Sequence, residues 1–408
     1  DKIPHRSMVH GVNLKDDYHW LKDRANPEVT AYLEAENAYT TQSMDHTAGL
    51  QEKLFQEMKA RLKETDLTVP YRVDDYHYYT RTFEGKQYQV HCRKRGGLDA
   101  DEEVLLDQNK LAQGQEYFRL GVFRVSPSHK LLAYSTDTAG SETYTLRVKD
   151  LDSGRLLPDA IPDTYYSVVW ANDDRTLFYT TLDSAKRPYR VFRHVLGADP
   201  ATDAMVYHET DESYHVELSK SRDRKYVFIN IHSTTTRESR FVSADKPLED
   251  WRIVQPRTPG IEYTLEHQGG KFLIVTNRDA RNFKLVTAPV DRSSSENWTD
   301  LIAHRPDVKL DAVAPFAAHL VIQEREGGLT KLRVRALVDG REHHIEFPEP
   351  VYTASPLDNE EFNTSTLRFS YTSLVTPRSV FDYDMNSRTR VLMKQEEVLG
   401  GYDPLRYE

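Results

Sequence analysis

The 408-residue chain contains a single cysteine, Cys92. One thiol can form neither an internal disulfide nor a cysteine-based zinc site, so Cys92 reads as a small buried hydrophobe, with a reactive thiol as the alternative. Long apolar runs are also missing. No stretch of about 18 apolar residues occurs, which argues against a membrane-spanning helix and a membrane partner. The chain opens Asp1-Lys2-Ile3-Pro4, with neither a methionine nor a secretory apolar core. A targeting segment removed ahead of Asp1 stays open, so a cytoplasmic location is expected and a periplasmic one is the alternative. Cations are outnumbered: 54 Lys and Arg stand against 64 Asp and Glu, for a net charge of −10. Phosphate binding needs clustered Lys and Arg, so nucleic acid is not an expected partner. An acidic field serves solubility, or it attracts basic peptides and cations.

Catalytic motifs are missing as well. There is no Gly-x-Ser-x-Gly, and hence no nucleophile elbow of an α/β-hydrolase; the nearest text is Ala139-Gly140-Ser141-Glu142. There is no His-Glu-x-x-His: His208-Glu209 comes closest, but position 212 is Glu. Walker, dinucleotide and EF-hand signatures do not occur. On a strand, His343 and His344 point to opposite faces and make a poor chelate. Glu102-Glu103 and Glu396-Glu397 read as solvated faces, because alternation sends neighbouring strand carboxylates opposite ways. No catalytic residue, metal site or cofactor is therefore expected in this chain.

What is present divides in two. With 38% hydrophobic and 29% charged residues the composition is globular, and the length exceeds the roughly 100–200 residues of one ordinary domain. Residues 1–69 read as a helical extension. Asn26-Pro27-Glu28 starts a helix with Pro near its first turn, and Leu50, Leu54, Met58 and Leu62 recur at helical spacing. From Pro70 onward, short segments rich in Val, Tyr, Phe, Thr and Leu alternate with polar turns. One unit recurs: a strand, a polar turn, then a strongly apolar strand. Phe123-Arg124-Val125 leads to Leu131-Leu132-Ala133-Tyr134, Val168-Val169-Trp170 to Leu177-Phe178-Tyr179, and Tyr263-Thr264-Leu265 to Phe272-Leu273-Ile274-Val275. Seven copies fall between residues 70 and 400, at the spacing of roughly 45–50 residues typical of four-stranded propeller blades. The fold class expected is all-β: a seven-bladed β-propeller with a short N-terminal α-helical extension. An array of β-sandwiches is the rival, although it would not require equal repeat lengths.

The same segments carry a further text. Asp16-Asp17-Tyr18-His19-Trp20-Leu21, Tyr32-Leu33-Glu34-Ala35-Glu36-Asn37, Leu106-Asp107-Gln108-Asn109-Lys110, Pro188-Tyr189-Arg190-Val191-Phe192-Arg193-His194 and Asn277-Arg278-Asp279-Ala280-Arg281 follow one another in order. Together with Gly328-Leu329-Thr330 and Lys394-Gln395, they resemble the prolyl oligopeptidase family of serine peptidases, in its oligopeptidase B branch. The resemblance spans nearly the whole chain; each motif alone is weak, and their order and spacing are what is specific. It implies that residues 1–69 pack on a hydrolase domain, that 70–400 form the propeller, and that 401–408 begin the linker to an α/β-hydrolase domain absent from this sequence. That domain, in cis or as a separate chain, would hold the Ser, Asp and His of the triad and most of the acidic residues that select a basic side chain. The activity implied is endopeptidase cleavage of short basic peptides after Arg or Lys, with the propeller filtering substrates by size. Two candidate sites follow from the resemblance. Glu142, in the segment from Asp137, stands where relatives place an interdomain acidic residue paired with an arginine of the hydrolase domain; otherwise it is a solvated loop carboxylate. Tyr165 and Tyr166 stand where relatives place an aromatic near the substrate; otherwise they pack the propeller. The competing function is a free-standing propeller that serves as a binding or scaffold module, with no catalysis.

Overall fold

The computed structural model describes residues 1–407. Two compact units are present, one of residues 1–63 with Val398–Tyr402, the other built mainly on Glu64–Glu397.

The first unit opens with an antiparallel hairpin, His5–Val9 against Val12–Asp16, which the sequence reading did not anticipate. Its turn places His10 at φ 50° and Gly11 at φ 79°, the two positive φ values that a tight two-residue hairpin turn requires. Helix α1 follows at Pro27–Met44. Asn26 caps it by accepting the Glu28 N–H at 2.9 Å, and Pro27 occupies the first turn, where its missing N–H costs nothing. Helix α2 covers Ala48–Ala60. Leu50, Leu54, Phe55 and Met58 are exposed along it.

The second unit is all β. Its strands pair antiparallel with their sequence neighbours in six sheets: residues 71–107, 119–208, 215–255, 263–302, 308–344 and 352–395. Five of these are four-stranded blades, and the second has seven strands. This corrects the expected seven-bladed propeller: the second and third repeats do not form separate blades. They share one 15-residue strand, Leu156–Trp170. Its first part pairs with Tyr144–Asp150 and its second with Thr176–Leu182, and Thr164 belongs to both ladders. The physical cause lies in the connection. Elsewhere a loop joins the last strand of one repeat to the first of the next, but at Ile161-Pro162-Asp163-Thr164 the strand continues with only a left-handed kink at Asp163, φ 58°. The register shift there acts as a bulge in place of a loop. Repeat counting detects apolar strands and cannot see whether the ladder between two of them is broken.

Apolar side chains fill the space between successive sheets. Tyr78 and Leu105 pack with Leu132 and Tyr134; Phe178 and Val191 with Val227 and Ile229; Phe228 with Phe272 and Ile274; Leu273 and Leu285 with Leu320 and Ile322; Val321 and Leu332 with Leu367 and Phe369. A further cluster around Leu146, Trp170 and Leu177 fills the seven-stranded sheet's own fold. The sixth sheet meets the first differently, through polar contacts. Arg368 donates from Nη1 to the Pro70 carbonyl at 2.6 Å and grips Asp382 with its other nitrogens. Lys394 donates to Asp66 and to the Leu67 carbonyl. A cavity of about 410 Å³ lies at this junction, lined among others by Tyr71, Tyr79, Cys92, Leu357 and Val380. Cys92 is buried there, and burial pushes its thiol up to about 12.

Candidate functional site

In an antiparallel meander, the turns after the first and third strands of a blade lie at one end. The turns after the second strand, and the connections to the next blade, lie at the other. The segment from Asp137 to Glu142 is a second-to-third-strand turn. Tyr165 and Tyr166 sit where the long strand passes from one repeat to the next. Topology therefore brings all three sequence-identified residues to one end.

The contacts are direct. Arg119, which opens its strand in register with Asp137, donates from Nη1 to Glu142 Oε1 at 3.0 Å. The same guanidinium lies 5.3 Å from the centre of the Tyr166 ring. Tyr144 donates its hydroxyl to that of Tyr166 at 2.6 Å, and the Tyr165 and Tyr166 rings meet edge to face at 4.6 Å. Burial, and then the Glu142 charge, raise the Tyr165 phenol above its ordinary value; burial, and then the bond to Tyr166, do the same for Tyr144. Both shifts favour the protonated phenol, and Tyr144 uses its proton in the bond to Tyr166. Tyr144 is fully buried because Gly121 makes room for it: a Cβ on Gly121 would lie 2.6 Å from a Tyr144 ring carbon. The cluster presents one half-exposed carboxylate beside an aromatic wall, a surface suited to a cationic group. It contains no nucleophile with an activating base.

Sequence reasoning did not identify Arg119, Tyr144 and Gly121 as parts of this cluster. Asp137 entered only as the start of a segment. Its position two residues before Ala139 is an Asx-turn signal that could have singled it out.

The opposite end is built from the turns between first and second strands. Here side chains link several sheets, both neighbours and sheets that are not adjacent in the ring. Asp74 of the first sheet takes Arg224 Nη1 of the third sheet at 2.7 Å and His129 Nε2 of the second at 2.9 Å. Arg222 of the third sheet donates to the Pro315 carbonyl of the fifth at 2.8 Å and to the Glu361 carbonyl of the sixth at 3.3 Å. The Arg224 and Arg222 bonds reach past an intervening sheet over the centre of the ring. Between the sheets lies a cavity of about 690 Å³ lined by Arg124, Trp170, Glu217, Lys220, Arg222 and Glu360, among others. Burial pushes Lys220 down to about 8, and its Nζ donates to the Trp170 carbonyl at 3.0 Å and to Asn172 at 2.6 Å.

The remaining candidates have structural partners. Glu102 accepts from Tyr79 and Arg81, and Glu103 pairs with Arg93 at 2.7 Å, so these two are ion-paired rather than merely solvated. His343 bonds the Tyr383 hydroxyl at 2.8 Å, while His344 is exposed. Among the described residues no group of three or more His, Cys, Asp or Glu side chains could hold a metal ion, and no helix is long and apolar enough to cross a membrane.

The family model described as the N-terminal β-propeller domain of prolyl oligopeptidase matches residues 1–396, and the chain belongs to the prolyl oligopeptidase family. Dipeptidyl aminopeptidase BI of Pseudoxanthomonas mexicana is 39% identical over 100% of this chain and 58% of its own length. Protease 2 of Moraxella lacunata is 35% identical over 98% of this chain and 59% of its own. Among solved structures, oligopeptidase B from Leishmania major superposes with a TM-score of 0.92 at 29% identity, covering 100% of this chain and 61% of that one. Oligopeptidase B from Trypanosoma brucei, in a closed form with covalently bound antipain, gives 0.91 at 32%, covering 99% and 61%. The chain therefore spans less than two thirds of the length of these relatives, and it corresponds to their propeller part.

Proposed function

We propose that this chain is the gating portion of an oligopeptidase B-like serine endopeptidase that cleaves short peptides after Arg or Lys. On this reading the nucleophile lies in an α/β-hydrolase domain outside this sequence, in cis or as a separate chain, and the chain by itself is inactive. Residues 1–69 pack on that domain, 70–400 form the propeller, and 401–408 start the linker. The setting is cytoplasmic, with neither nucleic acid nor membrane as partner. Glu142 pairs with an arginine of the hydrolase domain, and Tyr165 and Tyr166 border the substrate.

The observation that carries the gating role is the crossed end of the pore. Arg224–Asp74 and the two Arg222 bonds span the axis, while a cavity of about 690 Å³ remains inside. That volume falls in the range of small-ligand pockets, roughly 300–1,000 Å³. On this reading a pore closed at one end admits chains only from the other, and an opening of this size excludes folded proteins. Exclusion of bulk solvent on closure also serves the chemistry. The rival, a free-standing scaffold, gives no reason for the apolar side chains that α2 leaves exposed; a hydrolase face would cover them.

The test is hydrolysis by the full-length protein of a graded series of peptides, each with one arginine, from a few residues to a whole denatured domain. Rates should collapse beyond a few tens of residues, and Arg222→Ala/Arg224→Ala should relax that limit. Equal rates at every length would overturn the gating role.

A further inference from the structure

Asp137 is the last residue of the strand Leu131–Asp137 and is only 1% exposed. A buried carboxylate is costly unless several donors satisfy it, and here three backbone N–H groups of one turn converge on it. Oδ1 accepts from Ala139 at 2.8 Å and from Gly140 at 3.0 Å. Oδ2 accepts from Glu142 at 2.8 Å. The turn so held is otherwise unfavourable. Glu142 sits at φ 55° and Gly140 at φ 70°, and a non-glycine residue persists at positive φ only when its surroundings impose it. The tip of the turn rests on Tyr117, whose ring carbons lie 3.6 Å from where a Cβ of Gly140 would be. Arg119, in register with Asp137, then meets the Glu142 side chain.

We infer that Asp137 is a positioning residue for Glu142. It fixes the backbone from which the Glu142 carboxylate is aimed, and so the cationic partner that carboxylate can engage. This deepens the reading of Glu142 given above and rests on it. Two of the three bonds go to one oxygen and the Glu142 bond goes to the other, so the two functions of Asp137 separate chemically. Asp137→Asn can keep Oδ1 as the acceptor for Ala139 and Gly140 while turning an NH2 toward the Glu142 N–H, donor against donor. The turn stays folded and only its last residue is released. Asp137→Ala removes all three bonds.

The experiment is a double-mutant cycle in the full-length protein between Asp137→Asn and Glu142→Gln, read as kcat and KM on an arginine peptide, with thermal unfolding of each variant. A displacement of about 1 Å can lower a rate about 100-fold. The expected result is a loss of kcat/KM of about 10- to 100-fold for Asp137→Asn. The loss should appear without a matching fall in unfolding temperature, and it should vanish when Glu142 is already Gln. Equal losses in both backgrounds would overturn the inference, because Asp137 would then act on something other than Glu142. So would an unchanged kcat/KM in Asp137→Asn. A silent Glu142→Gln beside an impaired Asp137→Asn would remove the reading of Glu142 itself and this inference with it. If Asp137→Asn fails to fold, the cycle is repeated with Gly140→Ala, which loads the same turn at its positive φ, and the same outcomes apply.

Discussion

Glu266 lies on the strand Tyr263–Gln268, beside the axis-crossing Arg222, whose backbone N–H it accepts at 3.3 Å. Burial is the largest influence on it and pushes its carboxyl up to about 7; Arg222 pulls the other way, and Asp223 adds to the rise. Unfolded, the same carboxyl would titrate at its ordinary 4.5. Between those two pH values the folded chain binds more protons than the unfolded one, so stability must fall as pH rises through this window. At about 1.36 kcal/mol per tenfold, the full effect is about 3 kcal/mol above pH 7 and nothing below pH 4.5. Glu266→Gln keeps the acceptor for Arg222 and cannot ionise. Its new NH2 must find a partner, which returns about 1 kcal/mol. The net gain at pH 8 is about 2 kcal/mol. With an unfolding entropy of roughly 0.7 kcal/mol/K for a unit of this size, the midpoint should rise by about 3 °C. Calorimetry of both proteins at pH 5 and pH 8 measures this. A gain at pH 8 that vanishes at pH 5 is expected. A shift of equal size at both, or a loss at pH 8, refutes the placement of Glu266 in a poorly solvated wall.

Three other perturbations follow from the same structure. His194 is fully buried, with Nε2 at 2.9 Å from Asp159 and Nδ1 at 2.8 Å from Asp203, both carboxylates nearly inaccessible. Replacing it by Leu takes the shared histidine from two buried carboxylates, leaving Asp159 the Gly197 N–H and Asp203 the Tyr179 hydroxyl, so chemical denaturation should show a loss of about 3–5 kcal/mol. Gly121→Ala drives a methyl into Tyr144, for an expected loss of about 1–3 kcal/mol on unfolding and a change in Tyr166 fluorescence as its hydroxyl bond is disturbed. Lys220 is held near 8 against its ordinary 10.5 by burial, so the folded chain binds fewer protons than the unfolded one between those values and gains stability as pH rises through them. The advantage of Lys220→Met over the parent in urea unfolding should therefore shrink from pH 8 to pH 10.5, and an advantage independent of pH contradicts this.

The second strand of each repeat is the most legible element in the sequence. Leu131-Leu132-Ala133-Tyr134 and Phe272-Leu273-Ile274-Val275 read as strands because both of their faces are buried between sheets. The lead-in helices are legible from Asn26-Pro27 and from the spacing of Leu50, Leu54 and Met58. The hairpin before them is not, since its apolar residues are few and exposed. The blade count failed at one connection, where Asp163 bulges and the ladder runs on. Glu142, Tyr165 and Tyr166 came from resemblance rather than from spacing. Their meeting point, Arg119, is an ordinary surface arginine in sequence and gains meaning only from a contact 23 residues away. The crossing of the pore is further out of reach: Asp74 and Arg224 stand 150 residues apart, and nothing local in either turn indicates the other.

The most direct measurement is the rate of hydrolysis of a fluorogenic peptide ending in arginine, by this purified 408-residue chain and by the full-length protein side by side. The expected result is no turnover by the chain and turnover by the full-length protein that a serine-directed reagent abolishes. Hydrolysis by the 408-residue chain itself, or a full-length protein inert toward both arginine and lysine peptides, would contradict the account.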